Sequence, residues 1–235
     1  MLLPFFHKLF MPDNESITSF LSDLVTEKRL GRIEEILAQR TRYLTVVLED
    51  IFQSQNANAV LRTCECFGVQ DVHIIENYNS YSINPMVLKG SDQWLTIKRH
   101  HQSDNNSIKA LRQLKSEGYR IIATSLQEES VALTDFDVER AKCAIIFGNE
   151  HQGDSDDVMK HADECLKISM CGFTQSLNIS VSAGIIISHL TRKIRNSTID
   201  WQITSPEKEI LRIDWLKCSV KNPEVLIHRL MEEKK

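Results

Sequence analysis

Residues 168–188 read Ile-Ser-Met-Cys-Gly-Phe-Thr-Gln-Ser-Leu-Asn-Ile-Ser-Val-Ser-Ala-Gly-Ile-Ile-Ile-Ser, a loop that turns into a helix, and this change decides the fold. Gly172 interrupts the preceding run, and Thr174 and Ser176 can cap backbone N–H groups. Apolar residues then dominate, which predicts a long helix from Ser176 that is buried on most sides. Its first turn places Ser176 and Asn178 at one mouth of a core, as a binding site requires. Taken alone, the stretch fits a core helix with incidental polar residues equally well.

The composition indicates one medium-sized domain with short appendages. The chain has 235 residues and 42% hydrophobic content, enough to bury a core. The formal net charge is −4 and the sequence pI is about 6.1, so nucleic-acid binding would have to use local basic patches. The candidate patches are Lys28, Arg29, Arg32, Arg40 and Arg42, then Lys98 to His101, and then Arg192, Lys193 and Arg195.

The cysteines and the amino terminus predict a cytoplasmic protein. Six cysteines, at positions 64, 66, 143, 165, 171 and 218, form no C-x-x-C pair and are typical of reduced intracellular thiols. No apolar run is long enough to cross a bilayer. Residues 1–10 are apolar but carry His7 and Lys8 and lack a small-residue cleavage site, so we reject a secretory signal. Either Met1 or Met11 could be the first residue of the protein.

Short apolar runs alternate with helical patterns through most of the chain. Strands are predicted at 44–48, 72–75, 120–124, 143–147 and 165–168. Helices are predicted at 14–40, as two helices, at 56–67, near 107–117 and near 156–161. This alternation predicts an α/β fold with a mostly parallel sheet flanked by helices. Ligands of such sheets bind beyond the carboxyl ends of the strands.

The pattern changes near both ends, which predicts three parts. Residues 1–40 form an N-terminal helical extension, 41–196 the core, and 197–235 a C-terminal helical extension. In the last part, Ser205 is predicted to cap a helix with Pro206 in its first turn, and Asn222-Pro223 to break it. Terminal helices of this kind pack on their own domain or on a second subunit more often than they carry chemistry.

Two further segments combine glycine with unusual polar residues. One places Asn56 near a helix start and Arg62 deeper along the apolar helix, where a buried arginine needs a partner. In the other, a strand ends in a turn at Gly148 and delivers the carboxylate of Glu150. Neither a G-x-G-x-x-G nor a phosphate-binding G-x-x-x-x-G-K-[ST] motif is present. Glu150 and His151 are adjacent rather than a helical turn apart, so no metal site is predicted.

Three motifs together resemble the SpoU branch of the SPOUT methyltransferases, which use S-adenosylmethionine. They are N-x5-R-T-x3-F-G-V at 56–69, F-G-x-E-x-x-G at 147–153 and I-x-M-x-G-x3-S-L-N-x-S-V at 168–181. Gly90-Ser91, Trp94, the strand end at Thr124 and Asp214-Trp215-Leu216 look most like the TrmH-type tRNA (guanosine-2'-O-)-methyltransferases within that branch. The resemblance covers roughly residues 41–222.

The resemblance implies a deep C-terminal trefoil knot, a rare exception to the rule against threaded chains. In relatives the cofactor lies bent in the knot, held largely by backbone groups, and the subunits pair through the knot as a homodimer. Carried onto this chain, the cofactor-binding loops are those that contain Thr124, Gly148, Ile168 and Leu177.

The implied reaction is methylation of the ribose 2'-OH of a guanosine in the tRNA D-loop, at tRNA position 18. Arg62 is the implied catalytic residue, acting either as a base or as a cation that stabilises the developing alkoxide. Asn56, Glu150, Ser176 and Asn178 are expected to shape the pocket and to hold the arginine and the RNA. Glu150 is the natural partner of Arg62, although a purely structural ion pair is the alternative.

Two other interpretations stay open at this point. The first is the same chemistry on ribosomal RNA, because the motifs report the reaction more reliably than the RNA. The second is an RNA-binding scaffold that has lost catalysis. Arg62, Glu150, Ser176 and Asn178 are all present, which argues against such loss.

Overall fold

The computed structural model describes residues 14–81 and 90–233. The chain divides into two compact units, one of Arg40–Gln202 and one that combines Met1–Gln39 with Ile203–Lys235. The predicted boundaries after residues 40 and 196 stay a prediction.

The first unit is built on a seven-stranded sheet in which every pair of neighbouring strands is parallel. Its strands are β1 (Leu44–Glu49), β2 (Asp71–Ile75), β3 (Thr96–His100), β4 (Arg120–Thr124), β5 (Val131–Ala132), β6 (Cys143–Phe147) and β7 (Glu164–Lys167). The order across the sheet is β3-β2-β1-β6-β4-β7-β5. The predicted parallel α/β sheet is therefore confirmed. Two strands escaped the sequence prediction: β3 carries Lys98, Arg99 and His100 in place of an apolar run, and β5 has only two residues.

The helices of the described residues account for the rest of the regular structure. They are α1 (Asn14–Asp23), α2 (Glu27–Leu37), α3 (Ser54–Phe67), α4 (Asn106–Ser116), α5 (Asp156–His161), α6 (Ile179–Arg195), α7 (Ser205–Ser219) and α8 (Pro223–Glu233), with a 3₁₀ helix at Ser91–Trp94. None of these helices has the length and apolar character needed to cross a membrane.

Helices cover the sheet on both faces. Alternate residues of a strand point to opposite faces, so Val46 and Leu48 of β1 pack with α3 and α6, whereas Val47 packs with α4 and α5. Both faces of β1 and β6 are fully buried, as their continuous apolar sequences predict. The apolar cores on the two faces of the sheet hold the strand ends in place.

The start of α6 differs from the prediction. The helix begins at Ile179 rather than Ser176, because the side chain of Asn178 accepts the backbone N–H of Ser180 and caps the helix there. The prediction that the helix is buried on most sides is also wrong for its first half. Val181 and Ile185 are exposed, and burial is concentrated from Ile186 onward.

The second unit contains α1, α2, α7 and α8. The two helices predicted within residues 14–40 are confirmed. The N-cap of α7 is Thr204 rather than Ser205, because Thr204 and Glu207 form a capping box. Within this unit Arg212 donates to Glu34 at 2.8 Å, which ties α7 to α2.

Candidate active site

A cavity of about 670 Å³ lies beyond the carboxyl ends of β4, β6 and β7. The register brings these ends together, since Ala123 of β4 pairs with Ile146 of β6, and Thr124 of β4 pairs with Leu166 of β7. The wall consists of residues from 124–127, 147–154, 166–170 and 176–179, together with side chains of α5 and α6. The cavity thus occupies the edge where parallel sheets bind ligands.

Most of the predicted site residues meet at this cavity. It is lined by Thr124, Gly148, Ile168 and Leu177, the predicted cofactor-binding residues, and by Glu150, Ser176 and Asn178. Asn56 lies behind the wall, and Arg62 does not line the cavity. The individual roles of all these residues stay predictions.

Gly148 permits a tight turn at the end of β6. A Cβ atom at this position would lie 2.3 Å from the carbonyl oxygen of Gly153. Asn149 and Gly153 exchange two backbone hydrogen bonds, of 2.9 and 2.8 Å, and Gly153 has a φ of 73°. A glycine is therefore required at position 148 for the chain to fold back against the cavity.

Glu150 joins the turn after β6 to the start of α3. Its carboxylate accepts the Nδ2–H of Asn56 at 2.8 Å and the backbone N–H groups of Phe52 and Gln53 at 2.8 and 3.1 Å. Burial alone would raise the pKa of Glu150, but these hydrogen bonds outweigh burial and lower the pKa below its usual range. The group is therefore ionised at neutral pH. Asn178 donates in turn to Asn56 at 3.2 Å, which links the third motif to the other two.

Arg62 occupies a different position from the one predicted. We expected a buried arginine paired with Glu150, but Arg62 is exposed and Glu150 binds Asn56. The reason is the helical period of α3, whose buried face carries Ala57, Val60 and Leu61, among other residues. An apolar sequence around Arg62 did not reveal on which side of the helix the guanidinium lies.

Asp154 is a site residue that sequence reasoning missed. Its Oδ2 accepts the backbone N–H of Thr124 at 2.8 Å. The Oδ1 is buried and has no hydrogen-bond partner among the described residues. Burial, followed by the nearby Glu49 carboxylate, raises the pKa of Asp154 well above its usual range. An aspartate directly after Gly153 was the only signal in the sequence.

Glu49, at the end of β1, is a second buried carboxylate near the cavity wall. It accepts the backbone N–H and the hydroxyl of Ser155 at 3.0 and 2.8 Å, and the hydroxyl of Ser107. These donors fix the chain that follows Asp154 against β1. Among the described residues, no cluster of three or more His, Cys, Asp or Glu side chains could hold a metal ion.

The fold and the cavity define a parallel α/β protein with a candidate ligand site at the strand ends, where three sequence motifs converge. Residues 43–188 match the SpoU rRNA Methylase family, and the chain belongs to this family.

Two curated relatives illustrate the similarity. The chain is 45% identical over 202 residues to the tRNA (guanosine(18)-2'-O)-methyltransferase of Borreliella burgdorferi, covering 86% of this chain and 90% of the relative. It is 33% identical over 195 residues to the enzyme of the same name from Thermus thermophilus, covering 82% of this chain and 97% of the relative.

A solved structure agrees. The TrmH/SpoU tRNA modifying enzyme of A. aeolicus superposes with a TM-score of 0.72 at 30% identity, over 83% of this chain and 98% of that one. The resemblance predicted from the three motifs is therefore confirmed.

Proposed function

We propose that this protein transfers the methyl group of S-adenosylmethionine to the ribose 2'-OH of guanosine 18 in tRNA. The observation that carries the proposal is the convergence of the three motifs on one cavity, with Glu150, Asn56 and Asn178 in one hydrogen-bonded chain. The names of the relatives from B. burgdorferi and T. thermophilus support the same substrate. A tRNA substrate also fits the predicted cytoplasmic location.

The cavity fits S-adenosylmethionine in size and in chemistry. Its volume of about 670 Å³ lies in the range of sites for small cofactors. Leu166, Ile168 and Ile186 offer an apolar wall for a purine ring, whereas the turns after β4 and β6 offer polar backbone. The close approach at Gly148 keeps this backbone accessible. When bound, the cofactor supplies an electrophilic methyl group on a sulfonium centre.

The protein has two tasks in the reaction. It aligns the ribose oxygen with the methyl–sulfur bond, and it assists loss of the hydroxyl proton as the oxygen–carbon bond forms and the sulfur–carbon bond breaks. Ionised Glu150 serves the first task, because it holds Asn56 and the start of α3 in place at the cavity. Arg62 serves the second, as a base or as a cation that stabilises the developing alkoxide.

The proposal includes a knot and a homodimer. The knot lies in the segment that ends with α6, and the likeness to the A. aeolicus enzyme supports it. Val181 and Ile185 lie one helical turn apart on α6 and are 48% and 40% exposed, and Leu177, just before the helix, is 37% exposed; together they form an apolar stripe for a second copy to cover.

The homodimer also accounts for the position of Arg62. This residue is exposed and does not line the cavity of its own chain, although α3 packs beside the helix that carries the apolar stripe. We therefore assign Arg62 to the cavity of the second copy. Co-expression of the Arg62→Ala and Glu150→Ala chains tests this assignment, because a mixed dimer then holds one complete site. Roughly a quarter of wild-type activity is expected, whereas action within one chain leaves none.

The first test of the function is methyl transfer from labelled S-adenosylmethionine to an unmodified tRNA transcript and to ribosomal RNA fragments, with the modified nucleotide mapped. Label on the ribose of guanosine 18, lost in Arg62→Ala, is the expected result. Label on ribosomal RNA alone would show that the substrate is ribosomal RNA rather than tRNA. A folded protein that binds tRNA but not S-adenosylmethionine would be a scaffold rather than an enzyme.

A further inference from the structure

Two large aromatic side chains project into solvent beside the candidate active site. Tyr78 is 93% exposed on the loop that follows β2, and Phe52 is 59% exposed directly after β1. The strands β1 and β2 are parallel neighbours, so both residues stand at the same edge of the sheet as the cavity. An aromatic ring offers a large apolar face, and at a strand-end site this face is available to a ligand.

The backbone that presents Tyr78 is held firmly by Asp50. The Oδ1 of Asp50 accepts the backbone N–H groups of Asn77, Tyr78 and Asn79 at 2.7, 2.8 and 3.2 Å. Asp50 itself is buried and has a φ of 48°, a left-handed conformation that aspartate tolerates better than most residues. The exposure of Tyr78 is therefore imposed by a fixed loop.

The backbone that presents Phe52 is held by the site itself. Its N–H donates to Glu150 at 2.8 Å, and its ring meets the ring of His151 edge to face, with centroids 5.5 Å apart. Asn149, in the same turn, donates to the carbonyl oxygen of Asp50 at 2.8 Å. Phe52, His151 and Tyr78 thus belong to one rigid network that borders the cavity.

We propose that Phe52, His151 and Tyr78 form an aromatic platform on which unpaired bases next to the target guanosine stack. The proposal rests on the proposed function and adds the residues that select an unpaired segment of the RNA. Aromatic faces bind splayed bases of single-stranded loops with little regard to sequence.

The local charges favour bases over phosphates at this platform. The carboxylates of Asp50 and Glu150 hold the backbone of Tyr78 and Phe52, and their oxygens are engaged by backbone and amide donors. Anionic groups at this position disfavour a phosphate but not a neutral base. The proposed function brings RNA to this edge of the sheet, so the platform is assigned to RNA.

The test compares Phe52→Ala and Tyr78→Ala with the ring-retaining variants Phe52→Tyr and Tyr78→Phe. The measurements are the KM for an unmodified tRNA transcript, the Kd for S-adenosylmethionine and the sedimentation coefficient. Each alanine variant is expected to raise the KM for tRNA roughly 5- to 100-fold, as the loss of one stacked base implies, with the cofactor Kd unchanged. The ring-retaining variants should stay close to wild type.

A second readout addresses stacking directly. A tRNA with 2-aminopurine next to guanosine 18 should lose fluorescence on binding to wild type and lose less on binding to Tyr78→Ala. The ring of Tyr78 is 93% exposed, so its removal leaves the core intact. If wild type methylates guanosine 18 and both alanine variants show the wild-type KM and fluorescence quenching, the platform is overturned and the proposed function stands. Loss of the dimer in these variants assigns the residues to the subunit interface instead. Wild type without activity on tRNA overturns the proposed function, and the platform with it.

Discussion

The carboxyl group of Asp154 accepts the backbone N–H of Thr124 at 2.8 Å. One side chain therefore joins the end of β4 to the turn that follows β6, and both line the cavity. Burial of the carboxyl, followed by the nearby Glu49 carboxylate, favours the neutral acid and outweighs the donated N–H, and the Oδ1 has no hydrogen-bond partner among the described residues.

The first prediction concerns the pH dependence of stability. The folded state raises the pKa of Asp154 above the ordinary value of 3.8, so between these two values the folded protein binds more protons than the unfolded chain. The contribution of Asp154 is complete below the ordinary pKa and is lost as pH rises through the raised one. Asp154→Asn keeps an acceptor for the N–H of Thr124 and cannot ionise. The loss of stability that Asp154 causes as pH rises should therefore be absent in this variant.

The measurement is the free energy of unfolding of both proteins from pH 4 to 9 by denaturant titration. The free energy of unfolding of wild type minus that of Asp154→Asn should fall as pH rises. A difference that does not change with pH would show that Asp154 does not titrate in this range. Asp154→Ala, which removes the acceptor altogether, should cost about 1–3 kcal/mol and weaken binding of S-adenosylmethionine.

The second prediction compares two glycines. Gly148→Ala places a Cβ atom 2.3 Å from the carbonyl oxygen of Gly153, so it should destabilise the protein by about 1–3 kcal/mol and weaken cofactor binding. Gly184→Ala is the matched control, because among the described residues no atom outside its chain neighbours and its own helix backbone lies within 4 Å of the added Cβ. In the interior of α6 it should stabilise the protein by roughly 0.5–1 kcal/mol. Thermal unfolding measures both, and equal effects would contradict the close approach at Gly148.

The third prediction concerns Asn56 and Glu150. Asn56→Ala removes the side-chain donor that does most to lower the pKa of the Glu150 carboxyl, while burial still raises it, so this pKa should rise. NMR titration of the Glu150 carboxyl carbon measures the shift. Methyl transfer should fall at acidic pH more in the variant than in wild type. An unchanged titration would mean that the backbone N–H groups of Phe52 and Gln53 suffice.

The fourth prediction tests the apolar stripe. Val181→Glu introduces a charge among Leu177, Val181 and Ile185, so it should shift the protein from dimer to monomer in sedimentation equilibrium. Thr198→Glu adds the same charge at an exposed position outside the stripe and should leave the dimer intact. A dimer that persists in Val181→Glu would move the interface elsewhere. Because Arg62 acts on the second copy in the proposed arrangement, the monomer should also lose methyl transfer.

The predicted strands and helices agree closely with the structure where burial makes the sequence periodic. The strands at 120–124 and 143–147 and the helix at 156–161 match to the residue. The edge strands β3 and β5 were missed because an edge strand is covered less completely and needs no apolar run. The α6 helix was started three residues too early, because several adjacent polar residues can serve as its cap.

The sequence by itself determined the alternation of strands and helices and the three motifs, because both are local patterns set by burial period and turn chemistry. Only the tertiary structure decided which residues meet. The bond between Asn56 and Glu150 spans 94 positions and depends on β1 and β6 being neighbours, which no local pattern encodes. The same is true of the bond between Asp154 and Thr124 and of the exposed position of Arg62, because each depends on strand order and helix rotation.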